Sequence, residues 1–538
     1  MNQNRFNYAM GAFLAMVVIT MAVRPLEGKD SAVISYAALT RERMDTITVA
    51  RVGNLKIRAR EFLLSYEYGP AFVKRGEKPL RHYLEFMVNE KLLALDGLRK
   101  NLQNSRQVKE SLQEIVGDLA TEELFKDDVM SKVKISDSEM KQAIAREKKH
   151  IAIKWLFTTS TNRMKYLRRQ IGNGLPFDSL FALQLNDSVT ADDRSLETTA
   201  FKLHMRNPAL AKIVDTLTLG KISRPINAPD GWYFVRLMNS WTNPVTTESE
   251  QNKLRYEARR ALFQHKMDVL SDQYIKKMMR DSDPVIIKKT VVLLRSIIGE
   301  KVLSLKKITD WNLNKQILEE FGPVDISEVA ARGEMPLVRM RDGTIQLKRF
   351  LTWYRTRETN IKLNTSSRGG FLFSLQKLIW RMVRDELLVR RAFNAGLQER
   401  KIVVTQKEWW RDKLLFAVEK SDLIRSLHTD DSALRAFYRK NIRQYRNRSG
   451  KKEPFEKVKD DVRRDYYVQE ANKKLLHRIL RLKQHYKIVI NNAALKFLSR
   501  RYRLKREPEA VEFYVVKKGG TFPRPAFPSI DFAWKSWY

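Results

Sequence analysis

Apolar residues recur at helical spacing along much of the chain, and two of these stretches match each other. Leu84, Met87, Val88, Lys91, Leu92 and Leu95 fall at i, i+3 or i+4 intervals. Leu378, Ile379, Met382, Val383 and Leu387 do the same. Each set makes a single apolar stripe on a helix. Two longer helical tracts are expected at about 249–280 and 455–485, each followed by a short β-like apolar tail, at 284–287 and 486–490. Upstream of each stripe the pattern changes to strand, turn, strand. Val52-Gly53-Asn54-Leu55-Lys56-Ile57 leads into Arg60-Glu61-Phe62, and Met340-Arg341-Asp342-Gly343-Thr344-Ile345 leads into Lys348-Arg349-Phe350. Glycine beside Asn or Asp at these turns predicts tight hairpins that open into helices.

These matches keep their order and nearly their spacing, as a diluted internal repeat does. Met87-Val88-Asn89-Glu90-Lys91-Leu92-Leu93 corresponds to Met382-Val383-Arg384-Asp385-Glu386-Leu387-Leu388, and Asn101-Leu102 to Gly396-Leu397. Asp137-Ser138-Glu139-Met140 corresponds to Asp431-Ser432-Ala433-Leu434, where an Asp or Ser N-cap opens a new helix. The copies differ in one place. The first carries about ninety extra residues, 150–241, where the second has only the loop Asn447-Arg448-Ser449-Gly450-Lys451-Lys452. A domain inserted at a surface loop explains the difference.

The extra segment reads as strand (Ile151 to Thr158), helix (Arg163 to Gly172), a Gly174-Leu175-Pro176-Phe177 entry to a second helix, a short helix from Asn207, and a strand after Pro225. Asp230-Gly231 then turns into Trp232-Tyr233-Phe234-Val235-Arg236-Leu237. Three steps of it resemble the parvulin-type peptidyl-prolyl isomerase domain. They are Gly174, Phe177 and Leu180; Leu217, Gly220, Ser223, Pro225 and Ile226; and Gly231, Trp232, Tyr233 and Phe234. The flanking repeat is similar to the helical chaperone modules of SurA-like and PpiD-like periplasmic foldases, extending the likeness over most of 46–500. The resemblance implies a peptide-binding groove lined by Trp155, Phe201, Arg206, Leu210 and Tyr233. The departures from the family pattern bear on activity. Trp155 and Tyr233 stand where the family has histidines, and His150 and His204 are at neither position. Arg206 and Leu210 stand where Met and Phe line the family's proline pocket, and Arg194-Ser195-Leu196-Glu197-Thr198 replaces a Gly-Gly-Asp-Leu-Gly turn. Prolyl isomerisation needs a desolvated apolar cradle that favours the twisted imide. A charged Arg206 and a missing histidine pair weaken such a cradle, so little or no isomerase activity is expected and no catalytic residue is assigned. The other reading of Trp155 and Phe201 is as ordinary core residues.

Composition narrows the remaining classes. The 538 residues hold 101 Lys and Arg against 62 Asp and Glu, a formal charge of +39. Such a surface attracts polyanions: acidic unfolded chains, anionic lipid or nucleic acid. The basic run at 435–448 interleaves Tyr438 and Tyr445, and Tyr502 lies in another at 500–506. These tyrosines either stack on bases or belong to solvated helices. Cysteine is absent, which excludes disulfides, thiolate metal sites and thiol nucleophiles. Phosphate-binding loops, His-Glu-x-x-His and Gly-x-Ser-x-Gly do not occur. Neither a metal, a cofactor nor a small-molecule substrate is expected. Arg5 precedes an uncharged run from Tyr8 to Val23 that Arg24 ends. This run reads as a secretory signal, an uncleaved anchor or a buried helix.

The expected fold is α+β and mostly helical. Residues 1–30 are a signal peptide or anchor, 45–149 with 242–300 a first helical chaperone module, and 150–241 an inserted small parvulin-like α/β domain. Residues 335–500 form a second, related module and 501–538 a basic, aromatic tail. The expected function is that of an exported ATP-independent chaperone, periplasmic or in the cell envelope. It would bind unfolded or nascent exported proteins, with an anionic membrane surface as a further partner and nucleic acid not expected. An active isomerase and a polyanion-binding scaffold are the alternatives.

Overall fold

The computed structural model describes residues 46–69, 77–244, 247–322, 333–427, 429–447, 449–504 and Phe522. The signal-like run at the amino terminus lies outside these residues, as do the region after Gly322-Pro323 and all of the aromatic tail except Phe522.

The chain is mostly helical, with small antiparallel sheets. The described residues open with β1 (Thr48–Val52), β2 (Leu55–Arg58), α1 (Ala59–Tyr68), α2 (Pro79–Arg99), α3 (Arg106–Asp128) and α4 (Asp137–Lys148). Next come β3 (Lys149–Thr158), α5 (Thr161–Gly172), α6 (Phe177–Ala182), β4 (Ser195–Thr199), α7 (Ala200–Arg206), α8 (Pro208–Val214), β5 (Ile226–Ala228) and β6 (Gly231–Thr242). After these follow α9 (Glu248–Ser282), β7 (Val285–Ile286), α10 (Lys288–Val302), α11 (Leu305–Asp310), α12 (Leu313–Phe321), β8 (Pro336–Met340), β9 (Gly343–Gln346) and α13 (Leu347–Arg357). The described chain closes with α14 (Arg368–Asn394), α15 (Lys401–Arg425), α16 (Asp431–Lys440), α17 (Phe455–His485), β10 (Ile488–Ile490) and α18 (Asn492–Leu504). It divides into two compact units. One takes the described residues up to Leu124 and from Met278 to Leu504; the other takes Phe125 to Lys277 with Phe522.

In the first unit each predicted hairpin forms and then receives a third strand from far along the chain. Gly53 turns β1 into β2 at φ +55°, and a Cβ there would approach Leu95 and Tyr486 to 3.2 Å, so the position requires glycine. Strand β10 pairs with β1, Ala50 opposite Ile490 and Val52 opposite Ile488. Strand β7 pairs with β8, Val285 opposite Arg339. The apolar tail after α17 therefore completes the first hairpin, and the tail after α9 completes the second. Over the first sheet lie α1, α2, α15, α17 and α18, burying Phe62, Tyr83, Leu84, Met87, Leu415 and Leu475.

Charge runs through this interior in matched pairs. Lys91 lies in the apolar stripe of α2 because Glu61 Oε1 at 2.9 Å and Asp412 Oδ2 at 2.7 Å meet its ammonium. Burial alone would lower its pKa, but the two carboxylates raise it, so the cation persists. The neighbouring Glu90 takes Lys413 of α15. Asp96, fully buried, accepts two hydrogen bonds from Arg478 of α17, at 2.7 and 2.6 Å. Arg357 at the end of α13 grips Glu114 and Asp118 of α3.

Two readings change here. Asp137 and Asp431 are not the helix caps. Ser136 and Asp430, one residue earlier, hold the extended backbone and accept from Glu139 N and Ala433 N. Tyr438 and Tyr445 do not present faces for bases. Tyr445 is buried, their rings lie 5.7 Å apart, and Tyr438 also meets Phe455 at 5.7 Å. They belong to the small core between α16 and α17. Tyr502 is outside the described side chains. No described helix is long and apolar enough to cross a membrane.

The second unit holds a four-stranded sheet in the order β4-β3-β6-β5, antiparallel throughout. Alternation along β3 and β6 sends Ile151, Ile153, Val235 and Leu237 to α7 and α8, and Leu156 and Phe234 to α5 and α6. Ser136 and Glu139 form a capping box at the start of α4, and Lys266 of α9 pairs with Glu139 at 2.5 Å.

Candidate peptide-binding site

The resembling motifs serve first to fix loops onto the sheet. Gly220, at φ +77°, donates its N–H to Leu237 O at 2.8 Å. Ser223 N–H donates to Val235 O at 2.8 Å, and Ser223 Oγ accepts from Val235 N at 2.9 Å. Phe177 and Leu180 are buried under the opposite face of the sheet. The motif residues therefore hold β6 in place and leave its far end, at the Asp230-Gly231 turn, to form a surface.

At that end the ladder sets Phe157 opposite Tyr233 and Trp155 opposite Val235. Opposed residues of an antiparallel pair share a face, so Trp155, Phe157, Tyr233 and Val235 line one side. The Phe157 and Tyr233 rings lie 4.9 Å apart at 58°. Gly231 at φ +149° makes room for them, because a Cβ there would come within 2.8 Å of Phe157. The Arg194 guanidinium stands 5.0 Å over the Phe157 ring, a cation–π contact. Tyr233 Oη donates to Asp230 Oδ2. Burial and that carboxylate push the Tyr233 phenol up to about 12, while Arg194 and Arg206 pull the other way.

The five expected lining residues do not all converge. Trp155 and Tyr233 are half-buried on the same sheet face, and Leu210 of α8 is buried beneath that face. Arg206 is exposed at the end of α7, with its charge felt at Tyr233. Phe201 sits in a separate cluster with Ala143, Ala258 and Leu262, between α4, α7 and α9. Phe157, Arg194 and Asp230 are the residues in contact with this surface that the sequence reading left out of the lining. For Phe157 a signal existed, since it follows Trp155 by two positions on a strand.

The histidines lie elsewhere. His150 stacks on Trp241 at 5.3 Å, at the opposite end of the β3–β6 ladder. His204 of α7 has its pKa lowered by burial and by Arg146. The Phe157–Tyr233 end is thus an aromatic pair whose phenol hydroxyl is bonded to the Asp230 carboxylate, with the Arg194 guanidinium over Phe157 and the charge of Arg206 felt at Tyr233. This set can hold an apolar or aromatic group, with guanidinium N–H groups as the donors, since the phenol proton goes to Asp230.

No family model matches the chain. The chaperone SurA of Thiobacillus denitrificans is 25% identical over 140 residues, covering 24% of this chain. The chain spans 29% of the length of that curated relative. Among solved structures, the peptidylprolyl isomerase PrsA of Bacillus anthracis aligns at a TM-score of 0.21 and 14% identity, over 36% of this chain and 96% of the other. A SurA-like chaperone of Campylobacter jejuni aligns at 0.20 and 14%, over 43% and 97%. Over the segment shared with the curated relative, this chain is similar to the SurA-type parvulin foldases.

Proposed function

We propose that the protein is an exported, ATP-independent chaperone that binds unfolded envelope or secreted proteins, and that its parvulin-like domain holds peptide with little or no isomerase activity. The observation that carries this reading is the Phe157–Tyr233 end of the sheet, a half-buried aromatic pair at the surface with no imidazole beside it among the described residues. Apolar surface of this kind binds exposed client segments, while a charged exterior keeps the complex in solution. The +39 charge favours acidic clients and speeds encounter at low salt. The similarity to a SurA chaperone supports the class of function. On this reading 45–149 with 242–300 and 335–500 are two related helical modules, 150–241 is the parvulin-like insert, and the amino-terminal run directs export to the periplasm or envelope. An anionic membrane surface is a further partner.

The test is to follow light scattering of a chemically denatured acidic protein diluted into buffer with and without the full chain, alongside a protease-coupled proline-peptide assay. Suppressed scattering with a proline-peptide rate at background is the expected result. Unchanged scattering removes the chaperone reading. A rate well above background establishes the isomerase alternative. Binding to nucleic acid in preference to unfolded protein, falling steeply with salt, would instead mark a polyanion scaffold.

A further inference from the structure

Phe522 belongs to the carboxy-terminal tail, yet it is buried in the second unit with 4% of its surface exposed. Its ring meets Phe125 edge-on at 4.9 Å and lies tilted on Tyr274 at 5.6 Å. Phe125 comes from the last turn of α3 and Tyr274 from α9. Tyr274 Oη donates to Asp128 Oδ2 at 2.9 Å, so a helix-to-helix hydrogen bond fixes the socket wall. The segment bearing Phe522 is Gly519-Gly520-Thr521-Phe522-Pro523. Two glycines and a proline are the composition of a linker rather than of a core element. An aromatic anchor on a segment of this composition is built like a peptide ligand that places one ring in a pocket. Both charges stand beside the socket, Lys126, Asp127 and Asp128 after Phe125 and Lys276 and Lys277 after Tyr274, so the aromatic ring and not charge defines the occupant.

We propose that the Phe125–Tyr274 socket is a binding site for an aromatic side chain of a peptide segment, and that Phe522 occupies it in cis. Resting on the chaperone reading, this makes the tail an internal competitor that a client must displace. A ligand carried on the same chain is presented at an effective concentration of about millimolar order, so an outside peptide of ordinary affinity binds the intact chain poorly.

The test uses the full chain, its Phe522→Ala variant and a fluorescein-labelled peptide of residues 517–527, with the same peptide carrying Phe522→Ala as control. Fluorescence anisotropy should show the variant binding the parent peptide about tenfold or more tightly than the unaltered chain does, with no binding of the control peptide. Equal binding by the two proteins, or equal binding of the two peptides, overturns the proposal. Should the variant fail to fold, deuterium exchange of the unaltered chain decides. Excess unlabelled parent peptide should speed exchange across the tail, and an unchanged rate overturns the proposal. If the variant binds peptide but neither protein suppresses scattering, the socket stands and the chaperone reading falls. If scattering is suppressed and the peptide does not bind, only the socket falls.

Discussion

At the residue scale the proposed function turns on Trp155 and Tyr233, which on the parvulin resemblance stand where that family has histidines. An imidazole near neutrality exchanges protons readily; the Tyr233 phenol, pushed up to about 12 by burial and by Asp230, does not. Its one proton is donated to Asp230, so what it offers a ligand is an acceptor oxygen and an aromatic face. The expected titration follows from the causes of the shift. In Asp230→Asn the charge repelling the phenolate is gone, so the Tyr233 midpoint should fall toward its ordinary value near 10. Carbon-13 labelled tyrosine followed by NMR, with Tyr233→Phe identifying the signal, checks this. An unaltered midpoint in Asp230→Asn would mean that the hydrogen bond to Asp230 is absent in solution. Part of this site was legible in the sequence. The period-two alternation of a strand brings Trp155 and Phe157 to one face, and the Asp-Gly turn marks where β6 begins. Phe201 misled because α7 is a seven-residue helix: in so short an element, spacing alone does not say which flank each apolar residue meets. Here Leu203 turns to the sheet and Phe201 to α4 and α9.

Elements are where local chemistry dictates most. The helix expected at 455–485 forms over those residues, with Pro454 at its cap position and Val462, Ala471, Leu475, Ile479 and Leu482 buried along one stripe. The helix starts at α4 and α16 were legible to within one residue, since an Asp or Ser cluster ahead of a periodic run offers two adjacent candidates for one cap. The α4 start carries a pH prediction. The Lys266 ammonium, together with Ser136, holds the Glu139 carboxyl down to about 2. A carboxyl whose folded pKa is depressed adds stability above its unfolded value, near 4.3, and that contribution is lost as pH falls through the folded value. The window is therefore roughly pH 4 to pH 2. Glu139 should titrate near 2 by NMR, and thermal melts of Glu139→Gln and the parent should differ at pH 6 and converge toward pH 2. A midpoint near 4 would show that the capping box and the Lys266 pair do not hold in solution.

Over the whole molecule, the pairing of strands is what the sequence withheld. A short apolar tail after a long helix is readable as a strand, but periodicity carries no record of which hairpin will accept it. Here the tail after α17 joins the first hairpin and the tail after α9 joins the second. Taken with the proposed pair of related modules, this is the topology of an exchanged dimer written into one chain, each half lending its last strand to the other. The buried ion pairs run the same way: Lys91 to Asp412, Asp96 to Arg478, and Glu114 to Arg357. Removing one partner of such a pair leaves an unpaired buried charge and costs about 3–5 kcal/mol, so neither half is expected to persist alone. A chain divided between Gly322 and Pro323 tests this directly. Produced separately, residues 1–322 and 323–538 should aggregate. Produced together, they should co-purify as a one-to-one complex that survives moderate salt, because the joining sheets and cores are buried rather than screened. Two fragments that fold and remain apart would show that the strand exchange does not govern assembly, and the sheets would then have to close within each half.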